Sequence, residues 1–403
     1  MDTGNASWLL TSSALVLLMT PGLAFFYGGL VRKKNAAATI MHSLICIGIV
    51  GVIWVVWGYA LAFGKDVGGI IGWSGFGLSG ISPDIGADSD DFTKSQLFAV
   101  FQGMFAIITP ALITGAFAAR IKFSALVIFT ILWVTLVYSP LAHWVWGGGW
   151  LSDRGGLDFA GGLVVHISSG VSALAAAWIV FGRRLRFQKE PMEPHNVPFV
   201  VLGAGLLWFG WFGFNAGSAL AANGTAINAF VVTNTAAATA MVTWVGMSWV
   251  FSKKPSIIGA ASGAVAGLVA ITPAAGFVGV LPAIVIGIGA GIFCYLAIEL
   301  LQKLRIDDAL AVFGVHGVGG TWGAIATGLF VGVGYGALAD GMSRGEQILE
   351  QIIGVLVTYV FSFVMTLIIF LAIKYTIGVK ISDEAEEVGL DISEHGEPAY
   401  RDI

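Results

Sequence analysis

The chain predicts an all-α integral membrane protein of eleven transmembrane helices, an inverted five-plus-five helix repeat with an extra eleventh helix. Three observations carry this. Of 403 residues, 57% are hydrophobic and only 11% charged, and the mean hydropathy is +0.87; a soluble domain carries about a quarter charged residues. The apolar runs are about twice the length of the roughly 10-residue alternating strands of a membrane β-barrel, and match a spanning helix. Finally, the basic residues sort to one side of a chain threaded eleven times.

Span one, near 8–31, follows a polar start whose only charge is Asp2 and is followed by Arg32, Lys33 and Lys34. A secretory signal carries its basic residues ahead of the apolar run, so this segment reads as an uncleaved helix with its N-terminus outside. Spans two and three lie near 40–63 and 95–119, the latter closed by Arg120 and Lys122. Span four, near 123–146, ends in HWVWGGGW, where glycines make the turn. Span five, near 158–181, opens on Asp158 and leads into the basic loop RRLRFQKEPMEPHN. Spans six and seven lie near 197–220 and 226–251. Spans eight and nine, near 256–276 and 279–302, are parted only by a short break at Gly276–Gly279. Span ten lies near 310–332 and span eleven near 347–376, which gives a membrane domain over 1–376 and a tail over 377–403.

With the N-terminus outside, 16 of the 20 basic residues fall on inner segments and only Lys65, Lys94, Arg154 and Arg344 stay outside. Losing a span at Gly147–Gly149 or at Gly276–Gly279 would mix that sorting. The positive-inside rule therefore favours eleven spans over ten or twelve, with the C-terminus in the cytoplasm of a cell (inner) membrane protein. The 56 glycines suit helices packing closely in lipid. Cys46 and Cys294 lie within spans without CxxC spacing and read as small buried hydrophobes.

Five spans precede the basic loop and five follow it before the last. Because five is odd, the second set starts from the opposite side, an inverted pair of the kind that carriers use with a site at the repeat interface. His166 lies in the fifth span of the first set and His316 in the fifth of the second. Each follows a valine, and a glycine comes four residues later, at Gly170 and Gly320. One alternative is two separate core histidines, each bonded to a neighbouring helix. An imidazole at bilayer depth is costly unpaired and often marks an ion or proton path, and the matched contexts favour one shared site.

Other candidates are few. Asp158, in the first turn of span five, is placed either to cap its free N–H groups or to bind a ligand, capping being the commoner use; Asp307 and Asp308 before span ten invite the same choice. Trp146 at the outer end of span four, Phe105 in FQGMF, and Phe214 and Ser218 in WFGFNAGSA are individually consistent with an aromatic belt and ordinary packing. Together, a tryptophan face and a hydroxyl can hold a small cation, with two phenylalanines as a constriction below. Phe214 and Ser218 are four apart and share a helix face.

At these residues the chain resembles the ammonium transporter family (Amt/Mep/Rh), in its prokaryotic Amt branch. The resemblance rests on PGLAFFYGGLVRKKN, FQGMF, HWVWGGG, LDFAGGLVVHISSG, PHNVPFV, WFGFNAGSA, SGAVAGLVAITPAAGFV, VFGVHGVGG and VGLDISEHGEPAY, which run in order along almost the entire chain. It implies an eleven-helix bundle with one pore per subunit, assembled as a homotrimer. It also implies that Trp146, Ser218 and Phe105 form an outer ammonium-recruitment site, Phe105 and Phe214 a stacked gate, His166 and His316 the twin histidines of the pore, and Asp158 the buried carboxylate beside the entrance. The chain departs from the family pattern at Ala119, where a glutamate is common, and at Ala311, where an aspartate is. The acidic tail would be disordered on composition alone; the resemblance implies an ordered cytoplasmic tail, and an inner face that docks a PII-type signalling protein, GlnK.

The expected function is ammonium transport for nitrogen uptake. Ammonium is recruited outside and deprotonated near the gate, because moving a bare cation through an apolar constriction is expensive. Ammonia then passes the histidines into the cytoplasm, with or without a separately relayed proton. The alternatives are an ammonium sensor or a gas channel of the same fold; a sensor usually carries an output domain, and 27 residues follow the last span. An aquaporin would show Asn-Pro-Ala, and a retinal pump a mid-span lysine where Lys374 lies at the inner end. A metalloenzyme would need a third ligand near His166 and His316, so neither enzymatic activity nor a metal or other cofactor is expected, nor a nucleic-acid partner.

Overall fold

The computed structural model describes residues 2–83, 95–181 and 193–400, and these are overwhelmingly helical. Arg183, Arg184, Arg186 and Lys189 of the basic loop, with Lys94 and Arg401, lie outside the described residues. The helices are α1 (Thr3–Leu30), α2 (Lys33–Phe63), α3 (Gln96–Phe117), α4 (Phe123–Asp153, interrupted at Gly147–Gly149), α5 (Gly162–Phe181), α6 (Val197–Ala216), α7 (Gly224–Ser252), α8 (Ile257–Ile271), α9 (Val280–Lys303), α10 (Phe313–Gly317 continued by Val318–Phe330) and α11 (Arg344–Thr376). Among the described residues, all but α8 and α10 are long and apolar enough to cross a membrane. Exposed large hydrophobics such as Val242, Trp249, Leu281 and Val360 cover the outside of the bundle, as a lipid-facing surface requires. The chain is a multi-pass membrane protein.

Local sequence sets the helix ends. Asp2, Ser95, Asn196, Asn223, Ser256 and Ser343 each accept an N–H of the first turn that follows, satisfying donors that apolar surroundings would otherwise strand. Every predicted span meets a helix, but two boundaries move. The helix of span eight stops at Ile271, because Pro273 cannot continue it, and the segment folds back in turns to Gly279. Span five becomes helical only at Gly162, with Asp158 standing ahead of it. Among the described residues one two-stranded sheet forms, a hairpin of β1 (Asp66–Val67) and β2 (Ile71–Gly72) between α2 and α3.

Small residues let the helices touch. A Cβ at Gly203 of α6 would fall 2.3 Å from the Phe26 amide of α1, and these two helices pack along each other. A Cβ at Gly267 of α8 would come within 2.4 Å of the Ala236 carbonyl of α7. In the centre α5 crosses α10 where a Cβ at Gly170 would meet the Gly317 amide at 2.2 Å. Without a hydrophobic difference between lipid and side chain, such close backbone approach is what holds membrane helices together.

The tail is ordered against one face of the bundle through α12 (Asp383–Val388) and α13 (Leu390–Ser393). The Asp391 carboxylate accepts the Ala37 and Ala38 amides at the start of α2, at 3.2 and 2.9 Å. Glu394 accepts the Phe123 amide at the start of α4, at 2.8 Å. Leu390 is buried with Ala38 and Ala119, and Lys380 donates to the Phe181 carbonyl that ends α5. Burial, followed by the like charges of Arg120 and Lys374, pulls the Lys380 ammonium below the ordinary lysine value. Acidic side chains thus serve as caps for the N-termini of helices. Ala119 and Ala311 both adopt positive φ, 64° and 60°.

Candidate functional site

Among the described residues six short stretches wind as π-turns, and three of them carry His166, Phe214 and His316: Gly162–Ile167, Phe212–Ala216 and Phe313–Gly317. A π-turn inserts a residue and re-aims its neighbours, and such turns cluster at functional sites. Here they aim these three side chains inward, where His166 and His316 are 1% and 4% exposed.

The two imidazoles meet directly. Nδ1 of His166 lies 3.2 Å from Nδ1 of His316, with ring centroids 5.3 Å apart and planes 23° from parallel. One Nδ1 carries the proton and the other accepts it, so when both rings are neutral one far nitrogen donates and the other accepts. Exchanging both tautomers reverses that polarity. The glycines of the two motifs make this possible reciprocally. Gly170 faces the His316–Gly317 backbone, and Gly320 faces the Cβ of His166, to which its own Cβ would approach within 3.1 Å.

An unbroken line of rings leads to the pair. Trp146 meets Phe105 edge-on, with centroids 6.2 Å apart at 82°. Phe105 covers Phe214 at 4.2 Å, and Phe214 lies 5.9 Å from His166 and nearly parallel to it. Both phenylalanines are fully buried, so they close the line. On the tail side a cavity of about 390 Å³ reaches Phe214, His166 and His316, is walled by Tyr27 and Leu112, and extends to Pro194 and Gln302. Ser218 joins through Phe214: its hydroxyl donates to the Phe214 carbonyl at 2.8 Å, leaving its lone pairs as acceptors. Among the described residues, no hydrogen bond or ring contact links Ser218 with Trp146.

Asp158 is a cap. Its Oδ1 accepts the amides of Gly161 and Gly162 at 2.8 and 2.6 Å, and its Oδ2 those of Leu163 and Val164 at 2.8 and 3.3 Å. Both oxygens are committed to the N-terminus of α5, and the Asp158 carbonyl accepts the Trp146 indole N–H at 2.8 Å. One residue thereby fixes both the helix of His166 and the ring of Trp146. Asp308, eight residues before His316 as Asp158 is before His166, accepts the Phe313 amide at 2.7 Å. Asp307 instead pairs with buried Arg120, at 3.5 Å.

Similarity to known proteins follows the same residues. The family profile described as Ammonium Transporter Family matches residues 7–400. The chain belongs to the Ammonium Transporter Family. It is 49% identical to the ammonium transporter of Bacillus subtilis (strain 168), over all of both chains, and 48% identical to ammonium transporter Amt1 of Archaeoglobus fulgidus, over 99% of this chain and all of that one. Among solved structures it superposes on Saccharomyces cerevisiae Mep2 with a TM-score of 0.88 at 37% identity, over 95% of this chain and 88% of that one. The structure described as Sensor Amt Protein gives 0.91 at 32% identity, over 97% and 98%. Ammonium transport is accordingly the activity of this family member, and its relatives are transporters rather than enzymes.

Two further residues beside the histidines and the cavity are not singled out by the sequence. Trp211 stacks on His166 at 5.4 Å and 21°, its indole donating to Thr272 Oγ1 at 2.9 Å. Its signal was present, three residues before Phe214 and so on a shared helix face. Tyr27 lines the cavity and donates to the Leu112 carbonyl at 3.0 Å; nothing in an apolar run distinguishes such a tyrosine from packing.

Proposed function

We propose that this chain conducts ammonia after recruiting and deprotonating ammonium, along the line Trp146, Phe105, Phe214, His166, His316. The cation docks against the Trp146 face with the Ser218 lone pairs as acceptors, a desolvated π contact being worth about 2 kcal/mol. It loses its proton before the Phe105–Phe214 pair, because neutral ammonia crosses an apolar constriction far more cheaply than a bare cation. Ammonia then passes the imidazoles, whose opposed donor and acceptor ends can hydrogen-bond it or hand on the proton. The single observation that carries this is the 3.2 Å imidazole contact at the end of a closed line of rings, opening directly into the cavity.

The eleven helices cross the membrane as an inverted five-plus-five repeat, with α11 outside the repeat. In support, Asp158, His166 and Gly170 recur as Asp308, His316 and Gly320 at a constant offset of 150, and α1 packs on α6 as α5 does on α10. The Trp146 side faces outward and the tail side the cytoplasm, where a PII-type protein would dock on a homotrimer. The similarity to a protein described as a sensor favours one second reading, ammonium sensing with slow conduction. Currents from protein reconstituted on solid-supported membranes decide between them. Ammonium pulses should give a sustained current or a matched neutral flux, with no response to potassium. Neither current nor flux in folded protein would leave sensing.

A further inference from the structure

His143, one turn before Trp146, is fully buried, and both of its ring nitrogens face oxygen. Nδ1 lies 2.9 Å from the Ala62 carbonyl of α2, and Nε2 2.9 Å from Asp66 Oδ1 at the head of the hairpin. A carbonyl and a carboxylate only accept. A neutral imidazole has one N–H, so beside an ionised Asp66 it would turn a lone pair on one of them. Complete bonding needs a second proton within the pair. The hydrogen bond from His143, with others from backbone amides such as that of Gly69, holds the half-exposed Asp66 carboxyl below the usual carboxylate range.

This pair organises the mouth of the site. Asp66 Oδ1 also accepts the Gly69 amide at 2.8 Å, and the Gly69 carbonyl accepts the Trp150 amide at 3.1 Å. The Trp144 indole donates to the Ile70 carbonyl at 2.7 Å. The His143 carbonyl accepts the Gly147 and Gly149 amides, closing the turn directly behind Trp146. With Nδ1 closed by Ala62, no ring nitrogen is left to take a proton from the pore, so the pair is not a branch of a relay. Tyr59, Lys65, Tyr138, Asp153, Asp158 and His166 are the other titratable groups on the elements packed around this turn.

We propose that His143 and Asp66 form a proton-held clamp that positions Trp146, so that ammonium recruitment weakens as external pH rises and the clamp loses its second proton. This rests on Trp146 being the recruitment site. Asp66→Asn separates the proton from the pairing: its NH₂, in the place of Oδ1, donates to Nε2 while a neutral imidazole donates to Ala62, so the pair closes on one ring proton at the cost of the Gly69 bond. In the full chain in nanodiscs, hydrogen–deuterium exchange of the 66–72 amides, corrected for intrinsic rates, should accelerate with rising pH in the parent and stay level in Asp66→Asn. In liposome flux the half-saturating concentration of ammonium ion should rise about threefold to tenfold over the same range in the parent, the factor a lost hydrogen bond gives, and not in Asp66→Asn. His143→Phe should sit at the alkaline value throughout. Parent exchange indifferent to pH, Asp66→Asn following the parent, or exchange that responds while half-saturation does not would each overturn the clamp. Trp146→Leu, run alongside, separates the failures: if it too leaves ammonium dependence unchanged, the recruitment site falls together with the clamp.

Discussion

Single side chains carry the selectivity expected of this pathway. Trp146→Leu removes the π-face and should lower the preference for ammonium over larger or less hydrogen-bonding cations, by a factor matching about 2 kcal/mol at most. Ser218→Ala should act in the same direction but less, because one acceptor is lost and the hydroxyl's bond to Phe214 is local. Competition between ammonium and methylammonium uptake measures both. Glutamine in place of His166 or His316 still hydrogen-bonds ammonia but cannot titrate. Either variant should lose coupled charge movement while folding normally, and the double variant should be little worse, since members of one relay fail together. Full electrogenic transport in a folded double variant would sink the relay and leave the histidines as lining. These residues were visible in sequence because an imidazole in an apolar run is expensive. Trp211 was not, since an aromatic among aromatics costs nothing to bury, and the His143–Asp66 pair was hidden because its partners stand 77 residues apart.

Helices are held here by caps and by missing side chains. Asp158→Asn leaves one acceptor oxygen for four amides and turns an NH₂ on the rest. It should cost about 1–3 kcal/mol for each buried donor left unpaired, read as a fall in melting temperature and in folded yield. Gly170→Ala drives a methyl into the Gly317 backbone and should cost about 1–3 kcal/mol, whereas Gly48→Ala, with nothing within 4 Å of its Cβ, should be neutral or stabilising. The positions of the helices could be read from apolar run length and flanking charge. Their precise starts could not, because Asp158 binds backbone amides up to six residues ahead, and hydropathy does not register the π-turns.

For the molecule as a whole, the sorting of 16 basic residues against four predicts that a tag before Thr3 is reached only from outside the cell and one after Ile403 only from the cytoplasm. Both tags on one side would overturn the threading. The reciprocal seating of Gly170 and Gly320 has a mechanical corollary. At the centre of the bundle two backbones touch without intervening side chains, so α5 cannot slide along α10 by even one residue without forcing a Cβ into a peptide group. The spacing of the backbones that carry the two imidazoles is therefore a fixed gauge, set by this direct contact. On the proposed pathway, opening then falls to ring rotation at Phe105 and Phe214, while the helix crossing beyond them keeps its spacing. Changes of bilayer thickness or temperature should then alter how often the path opens and leave unchanged what it admits.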